Sequence, residues 1–252
     1  MEQTLKDKVA FVTGSARRVG RAILLALAEA GCHVVVHHSG ASPAEAEETA
    51  ATARVLGVQA LVVAGNHAHY EAIQANFEAL QTHFGRLDIL VNSAGVFPSA
   101  DFLDITRESW EETLALNLSA PFWCTQMAGR MMQQSGTAGV IINIGDGAGL
   151  RPWVRRPHHS ISKAGVVMLT EVAARSLAKY QIRVNCLIPG PVLPAPDMDE
   201  SYWAKVVTRL PLARSGDPDD VARAVVFLAQ NDFITGAVLR VDGGEYIGIG
   251  YE

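Results

Sequence analysis

Val9-Ala-Phe-Val-Thr13, followed at once by Gly14-Ser-Ala-Arg-Arg-Val-Gly20 and an alanine- and leucine-rich run from about Arg18 to Ala30, decides the fold of this chain. The short apolar run reads as a buried strand. The run after the glycines carries apolar residues at helical spacing and stops at Gly31, a residue type that closes helices because it tolerates left-handed backbone. His33 to His37, with three consecutive valines inside it, reads as the next strand. Strand, glycine loop, helix and strand make a βαβ unit.

Working outward, the pattern repeats. Pro43 to Leu56 reads as a helix with Ser42 as N-cap and Glu45 three residues on, the spacing of a capping box. Ala60 to Val63 is a strand, His69 to His83 a helix ending near Gly85, and Leu87 to Val91 a strand. That last strand is apolar without strict alternation, as expected where helices cover both faces of a parallel sheet. A long helix over Trp110 to Met131 is interrupted at Pro121, which has no N–H to give. Val140 to Ile144 is a strand, His159 to Lys179 a helix and Arg183 to Ile188 a strand. Ser201 to Val207 is helical between proline-rich turns, within a small substrate lid at about 191–215. Pro218 to Leu228 is a helix capped by Asp217, and Val238 to Val241 is the last strand. With no composition break, 1–252 reads as one α/β domain: a single Rossmann fold whose doubly wound, seven-stranded parallel sheet is flanked by helices.

Composition narrows the function. The chain has 252 residues, with 21 basic against 26 acidic and a formal charge of −5. That balance argues against general nucleic-acid binding, which needs a basic surface to replace phosphate counterions. No apolar stretch approaches the roughly 20 residues that cross a bilayer, and the first residues lack a signal-peptide core, so neither membrane nor export is expected. Cys32, Cys124 and Cys186 form no zinc or redox spacing. The expectation is a cytoplasmic protein without a metal.

The glycine loop carries the first chemistry. Glycines between a strand and a helix let backbone N–H groups approach a pyrophosphate, whose charge the helix N-terminus stabilises. Ala16 and Arg18 depart from the common dinucleotide fingerprint, and no Lys-Ser/Thr pair makes a phosphate-binding Walker loop. NAD sites usually place an acid about 20 residues beyond the first glycines, where it repels a 2'-phosphate. Here the second strand ends His37-His38-Ser39, and Arg17 and Arg18 sit in the loop itself. A guanidinium pairs well with phosphate, so NADP(H) is the expected cofactor, with one of the two arginines pointing away.

These residues resemble the short-chain dehydrogenase/reductase family over essentially the whole chain. Thr13-Gly-Ser-Ala-Arg-Arg-Val-Gly20 is similar to its cofactor loop, and Asn92-Ser-Ala-Gly95 to its Asn-Asn-Ala-Gly motif with the second residue changed. Asn117, in Leu116-Asn-Leu-Ser-Ala-Pro-Phe122, matches the active-site asparagine, Pro189-Gly190 the turn beside the nicotinamide, and Asp242-Gly243-Gly244 the C-terminal signature. The arginine in the loop and Pro189-Gly-Pro-Val-Leu-Pro194 are most similar to the pteridine reductase and dihydromonapterin reductase branch. The resemblance implies cofactor contacts from Gly14, Ser15, Arg17, Arg18, Val19, Gly20, His37, His38, Ser39, Asn66, Asn92, Ala94, Gly95, Lys163, Pro189, Gly190 and Val192. It also implies a homotetramer or homodimer, with helices beginning near Trp110 and His159 packed on their counterparts. Gly248 to Glu252 is a candidate interface segment.

The family implies a serine, a tyrosine and a lysine. Lys163 fits the lysine, but four residues before it stands His159 in the tyrosine position, and thirteen before that stands Asp146 in the serine position. Aspartate there is itself a feature of the pteridine reductase branch. Independently of family, His159 and Lys163 are one helical turn apart, and Asp146 follows a strand at its carboxyl end, where sites in open α/β folds gather. Imidazolium is a competent acid and neutral imidazole a poor one; Asp146 favours the charged form and Lys163 opposes it. Asn117 can hold a relay water, and Trp153 can stack on a flat heterocycle. The expected activity is NADPH-dependent reduction of a small carbonyl or imine, pterin-like compounds among the candidates. The alternative is an NADP(H)-binding or scaffold protein that has lost turnover.

Overall fold

The computed structural model describes residues 4–194 and 198–248. Seven strands, β1 (Val9–Val12), β2 (His33–His38), β3 (Ala60–Ala64), β4 (Ile89–Asn92), β5 (Val140–Ile144), β6 (Arg183–Pro189) and β7 (Val238–Val241), form one sheet in the order β3-β2-β1-β4-β5-β6-β7. Every pairing is parallel. The direction of winding reverses between β1 and β4, which opens a cleft above the carboxyl ends of those strands.

Both faces of the sheet are buried, and successive strand residues serve opposite layers. Ala10 and Val12 pack with α1 (Arg18–Glu29), α2 (Pro43–Val55) and α8 (Pro218–Gln230) through Leu24, Ala50 and Val225. Val9 and Phe11 pack with α3 (Tyr70–Phe84), α5 (Ala120–Ser135) and α6 (Pro157–Leu177) through Ile73, Met132 and Ala173. This two-sided burial is why the strands read as continuous apolar runs. The described residues also form α-helices α4 (Arg107–Leu114), α7 (Glu200–Thr208) and α9 (Glu245–Gly248).

Three expectations shift. The helix expected from Trp110 starts at Arg107 and is broken by a π-helical turn over Ala115–Ser119 before continuing as α5. Pro121 is the cause, since it cannot donate to the carbonyl of Asn117 four residues back. The helix expected from His159 starts at Pro157, so His158 lies inside its first turn. Ser42 makes no side-chain cap, so the capping box at α2 does not form. Asp217 does form one with Asp220 at α8. The segment expected as a lid contains α7, while 195–197 within it and the candidate interface residues 249–252 lie outside the described residues. Among the described residues no helix is long and apolar enough to cross a membrane.

Candidate active site

The first turn of the cleft is drawn tight by its own backbone. Gly14 has φ +66°, and a Cβ on it would lie 2.9 Å from the Ala94 Cα. Thr13 holds the same two loops together, its hydroxyl accepting the N–H groups of Ser93 and Ala94 at 2.9 and 3.0 Å. Ser15 is fully buried; its hydroxyl donates to the Val12 carbonyl at 2.7 Å and accepts the His37 N–H at 3.0 Å. Helix α1 then begins with no side-chain cap and no acid in its first turn. The N–H groups of Arg18, Val19 and Gly20 therefore have no intrahelical acceptor and favour an anion.

The two arginines part company. Arg18 takes left-handed backbone, φ +56°, and donates to the Pro194 carbonyl at 2.7 Å, across the cleft mouth. Arg17 stays exposed at the helix N-terminus. His38 accepts the Gly40 N–H at 3.1 Å, Ser39 is exposed, and Asn66 accepts the Ala68 N–H at 3.0 Å. Asn92 turns away from the cleft and donates to Asn143 at 2.8 Å. Gly190 donates to the Val241 carbonyl at 3.0 Å, and Val192 is buried beside it. Unopposed helix N–H groups, an exposed Arg17 and the absence of an acid at the end of β2 are a donor set that fits NADP(H).

The second half of the cleft is built after β4 and β5. Asp146 caps a 3-10 turn over Gly147–Gly149, one carboxylate oxygen accepting the Ala148 N–H at 2.8 Å. Its other oxygen lies 3.3 Å from His159 Nε2. The Nε2 hydrogen is not aimed at that oxygen, so the contact is a close approach more than a directed hydrogen bond. His159 Nδ1 lies 3.2 Å from the Val96 carbonyl oxygen and 3.3 Å from the Asn117 amide nitrogen. Asn117, on the π-helical turn, clamps Val96 from both sides, accepting its N–H at 2.8 Å and donating to its carbonyl at 2.9 Å. One turn beyond His159, Lys163 donates to the Ile144 carbonyl at 2.9 Å.

Burial alone would raise the Asp146 carboxyl, but the His159 imidazole, the Ala148 N–H and Lys163 together hold it below the usual range. Burial pulls the Lys163 ammonium below its ordinary value, with Asp146 opposing. A second carboxyl, Glu245, is pushed up to about 7 by burial and by Asp146 and Asp242, against Arg151. The Phe97 ring stands edge-on to His159 at 4.7 Å, with Trp153 at 6.0 Å and the Arg156 guanidinium 3.6 Å above its face.

A family model described as enoyl-(acyl carrier protein) reductase matches residues 14–245. The chain is 34% identical to an L-rhamnose 1-dehydrogenase (NAD(P)(+)) of Azotobacter vinelandii, over 97% of this chain and 99% of that protein. It is 36% identical to a 3-oxoacyl-[acyl-carrier-protein] reductase of a Synechocystis species, over 95% of this chain and 97% of the other. The chain belongs to the short-chain dehydrogenase/reductase family. Among solved structures, a protein of Sinorhizobium meliloti described as of short-chain alcohol dehydrogenase type superposes with a TM-score of 0.92 at 30% identity, over 98% of this chain and 100% of that one. A blue fluorescent protein from a metagenomic library, in complex with NADPH, superposes at 0.89 with 31% identity, over 97% and 100%.

Within this short-chain dehydrogenase/reductase, Asn117, Asp146, His159 and Lys163 come together as the spacing suggests. The Asn117 amide, expected to hold a relay water, is already engaged with Val96, and also with Ser162 at 3.3 Å. Trp153 meets Phe97 edge-on. His158 is fully buried, and neither ring nitrogen meets a protein hydrogen-bond partner. Sequence reading passed over Phe97 as a cover for His159, Glu245 as a second carboxyl and His67 as a buried partner of His37. The last had one available signal: a histidine just past the end of β3, beside a strand that itself ends in histidines.

Proposed function

We propose that the chain catalyses NADPH-dependent reduction of a small carbonyl or imine compound, with His159 in the position of the acid. One observation carries this reading: both nitrogens of a buried histidine face oxygen, Asp146 Oδ2 at 3.3 Å and the Val96 carbonyl at 3.2 Å, one helical turn from Lys163. Such a ring can carry a proton on each nitrogen with an oxygen near both, one of them poorly aligned, which suits a group that gives a proton up. The α1 N-terminus and Arg17 would hold the phosphates, and Lys163 the ribose of the nicotinamide end. NADP(H) supplies the hydride when bound. Asp146 holds the imidazole in place. Asn117 fixes the Val96 carbonyl against His159.

Aspartate at 146, Pro189-Gly-Pro-Val-Leu-Pro194 and the Phe97 and Trp153 rings support a flat, pterin-like substrate. The activities for which relatives are named add sugars and acyl thioesters to the compounds worth testing. A second reading, dinucleotide binding without turnover, is favoured by the 2% exposure of His159 behind Phe97.

The test is a panel of dihydropteridines, quinones, ketoacyl thioesters and keto sugars with NADPH and NADH, run on the parent and on His159→Tyr. The expected result is turnover by the parent with NADPH, reduced in the variant. Turnover gained only by the tyrosine variant supports the second reading.

Self-association as a homodimer or homotetramer is part of the proposal. Ile161, Met168 and Val172 of α6 are 47, 57 and 55% exposed, and Phe122 of α5 is 42% exposed. Val166, by contrast, packs into the chain's own core. Lone apolar side chains on a surface are ordinary, but a row along one helix invites a counterpart.

A further inference from the structure

We propose that His37 is a positioning residue for the dinucleotide, a neutral imidazole that straps the glycine loop after β1 to the end of β3, held in that form by the Gly14 N–H, with His67 stacked against it.

The hydrogen bonds fix the tautomer. His37 Nδ1 lies 2.9 Å from the Gly14 N–H donor, so it must be bare. Nε2 lies 2.9 Å from the Gly65 carbonyl oxygen, so it must carry the proton. The backbone of the same residue is tied as well, its N–H to the Ser15 hydroxyl and its carbonyl to the Ser15 N–H, both at 3.0 Å. One residue thus makes four hydrogen bonds to the two turns between which the adenosine end of NADP(H) would lie. Neither ring nitrogen is left for a ligand, and the side chain is 1% exposed. His37 therefore acts through the loop and not by touching the cofactor.

His67 closes the arrangement. Its ring lies 3.8 Å from that of His37 at an interplanar angle of 27°, and Phe11 stands edge-on to both at 6.3 Å. His67 Nε2 accepts from the Asn76 amide at 2.9 Å, which puts its proton on Nδ1, facing Cys124 Sγ at 3.9 Å. The titratable groups facing the pair are each other, His38 on β2 and Cys124 on α5, whose thiol burial pushes up. Burial pulls His37 down to about 4 and His67 to about 3. A proton on His37 Nδ1 would point at the Gly14 N–H, so charging this ring and keeping Gly14 in place exclude each other.

The inference rests on the loop binding a dinucleotide, and the experiment separates the two. NADP+ binding is measured by calorimetry at pH 7.5 for the parent, His37→Phe and His37→Asn, with nitrogen NMR of labelled histidine on the parent and on His37→Asn. His37→Phe keeps the ring stack and removes both side-chain hydrogen bonds; the expected loss of affinity is about tenfold or more. His37→Asn keeps an acceptor for Gly14 and should stay within about threefold of the parent. The spectrum of the parent should show His37 neutral, with its proton on Nε2, at pH 5.5, where an exposed histidine is charged. The strap is overturned by unchanged affinity in His37→Phe, by equal losses in both variants, or by a charged or Nδ1-protonated His37. Should His37→Phe not fold, the tautomer and the asparagine variant decide. A parent that takes up no NADP+ overturns the dinucleotide reading instead.

Discussion

Two buried histidines stand at the carboxyl edge of one sheet and are used in opposite ways. His37, after β2, meets one donor and one acceptor, the Gly14 N–H and the Gly65 carbonyl, so a single proton satisfies it and its position is fixed. His159, at the start of α6, has oxygen facing both nitrogens and a poorly aligned contact to Asp146. Under the two proposals, the matched ring positions the glycine loop and the unmatched one gives up a proton. Residue type and burial are the same at both places; the chemical sense of the neighbouring groups is what differs.

The largest effect that bears on this contrast is expected at His159. His159→Phe keeps a ring under Phe97 but removes the proposed acid, and turnover with NADPH should fall by about 10²–10⁴ while NADP+ affinity stays within about twofold. Steady-state rates and calorimetry on the same preparation check it. Turnover within tenfold of the parent would place the proton source elsewhere.

Acid should strike the other half. An unfolded histidine titrates near 6.5, whereas folded His37 and His67 do so at about 4 and about 3. The unfolded chain therefore binds more protons below pH 6.5. Their contribution to stability is complete above that pH and is lost as the pH falls toward 4. By pH 4 each removes on the order of 3 kcal/mol. Urea unfolding at pH 7, 6, 5 and 4 should show the decline, and a His37→Asn, His67→Phe double variant should flatten it.

Asp146→Asn keeps an acceptor for the Ala148 N–H but removes the charge beside His159. A rate loss on the order of tenfold is expected at pH 7, with little change in NADP+ affinity. Equal losses in rate and affinity would assign Asp146 to holding the loop alone.

The smallest contrast concerns the caps. Asp217→Ala should cost about 1 kcal/mol by denaturant unfolding, whereas Ser42→Ala should cost a few tenths, because only the first side chain accepts a helix N–H. A similar cost at both would show that the Ser42 hydroxyl caps α2 in solution.

That pair also shows how much was legible before folding. Ser42 and Asp217 both stand before a proline that opens a helix, but the cap backbone at Asp217 is extended, φ −113° and ψ 150°, while Ser42 has ψ 51°. Spacing records the residue types and not that rotation. The central strands β1, β4 and β5 were legible because burial on both faces makes them largely apolar, whereas the edge strands β3 and β7 are only partly buried. The break before α5 was legible because Pro121 lacks a donor, but the π-helical turn that swings Asn117 onto Val96 was not. The departure of Arg18 toward Pro194, 176 residues away, leaves no local trace.

What the chain's order of residues determined by itself is the frame: alternating apolar strands and amphipathic helices, a glycine turn at 14–20 with positive charge and no acid after β2, and His159 one helical turn from Lys163. Those features are local, set by backbone freedom, side-chain period and charge. Tertiary structure alone decided which imidazole is consumed by its neighbours and which faces a carboxylate. A hydrogen bond depends on donor and acceptor meeting within about 3 Å, and the groups that meet His37 come from 23 and 28 residues away.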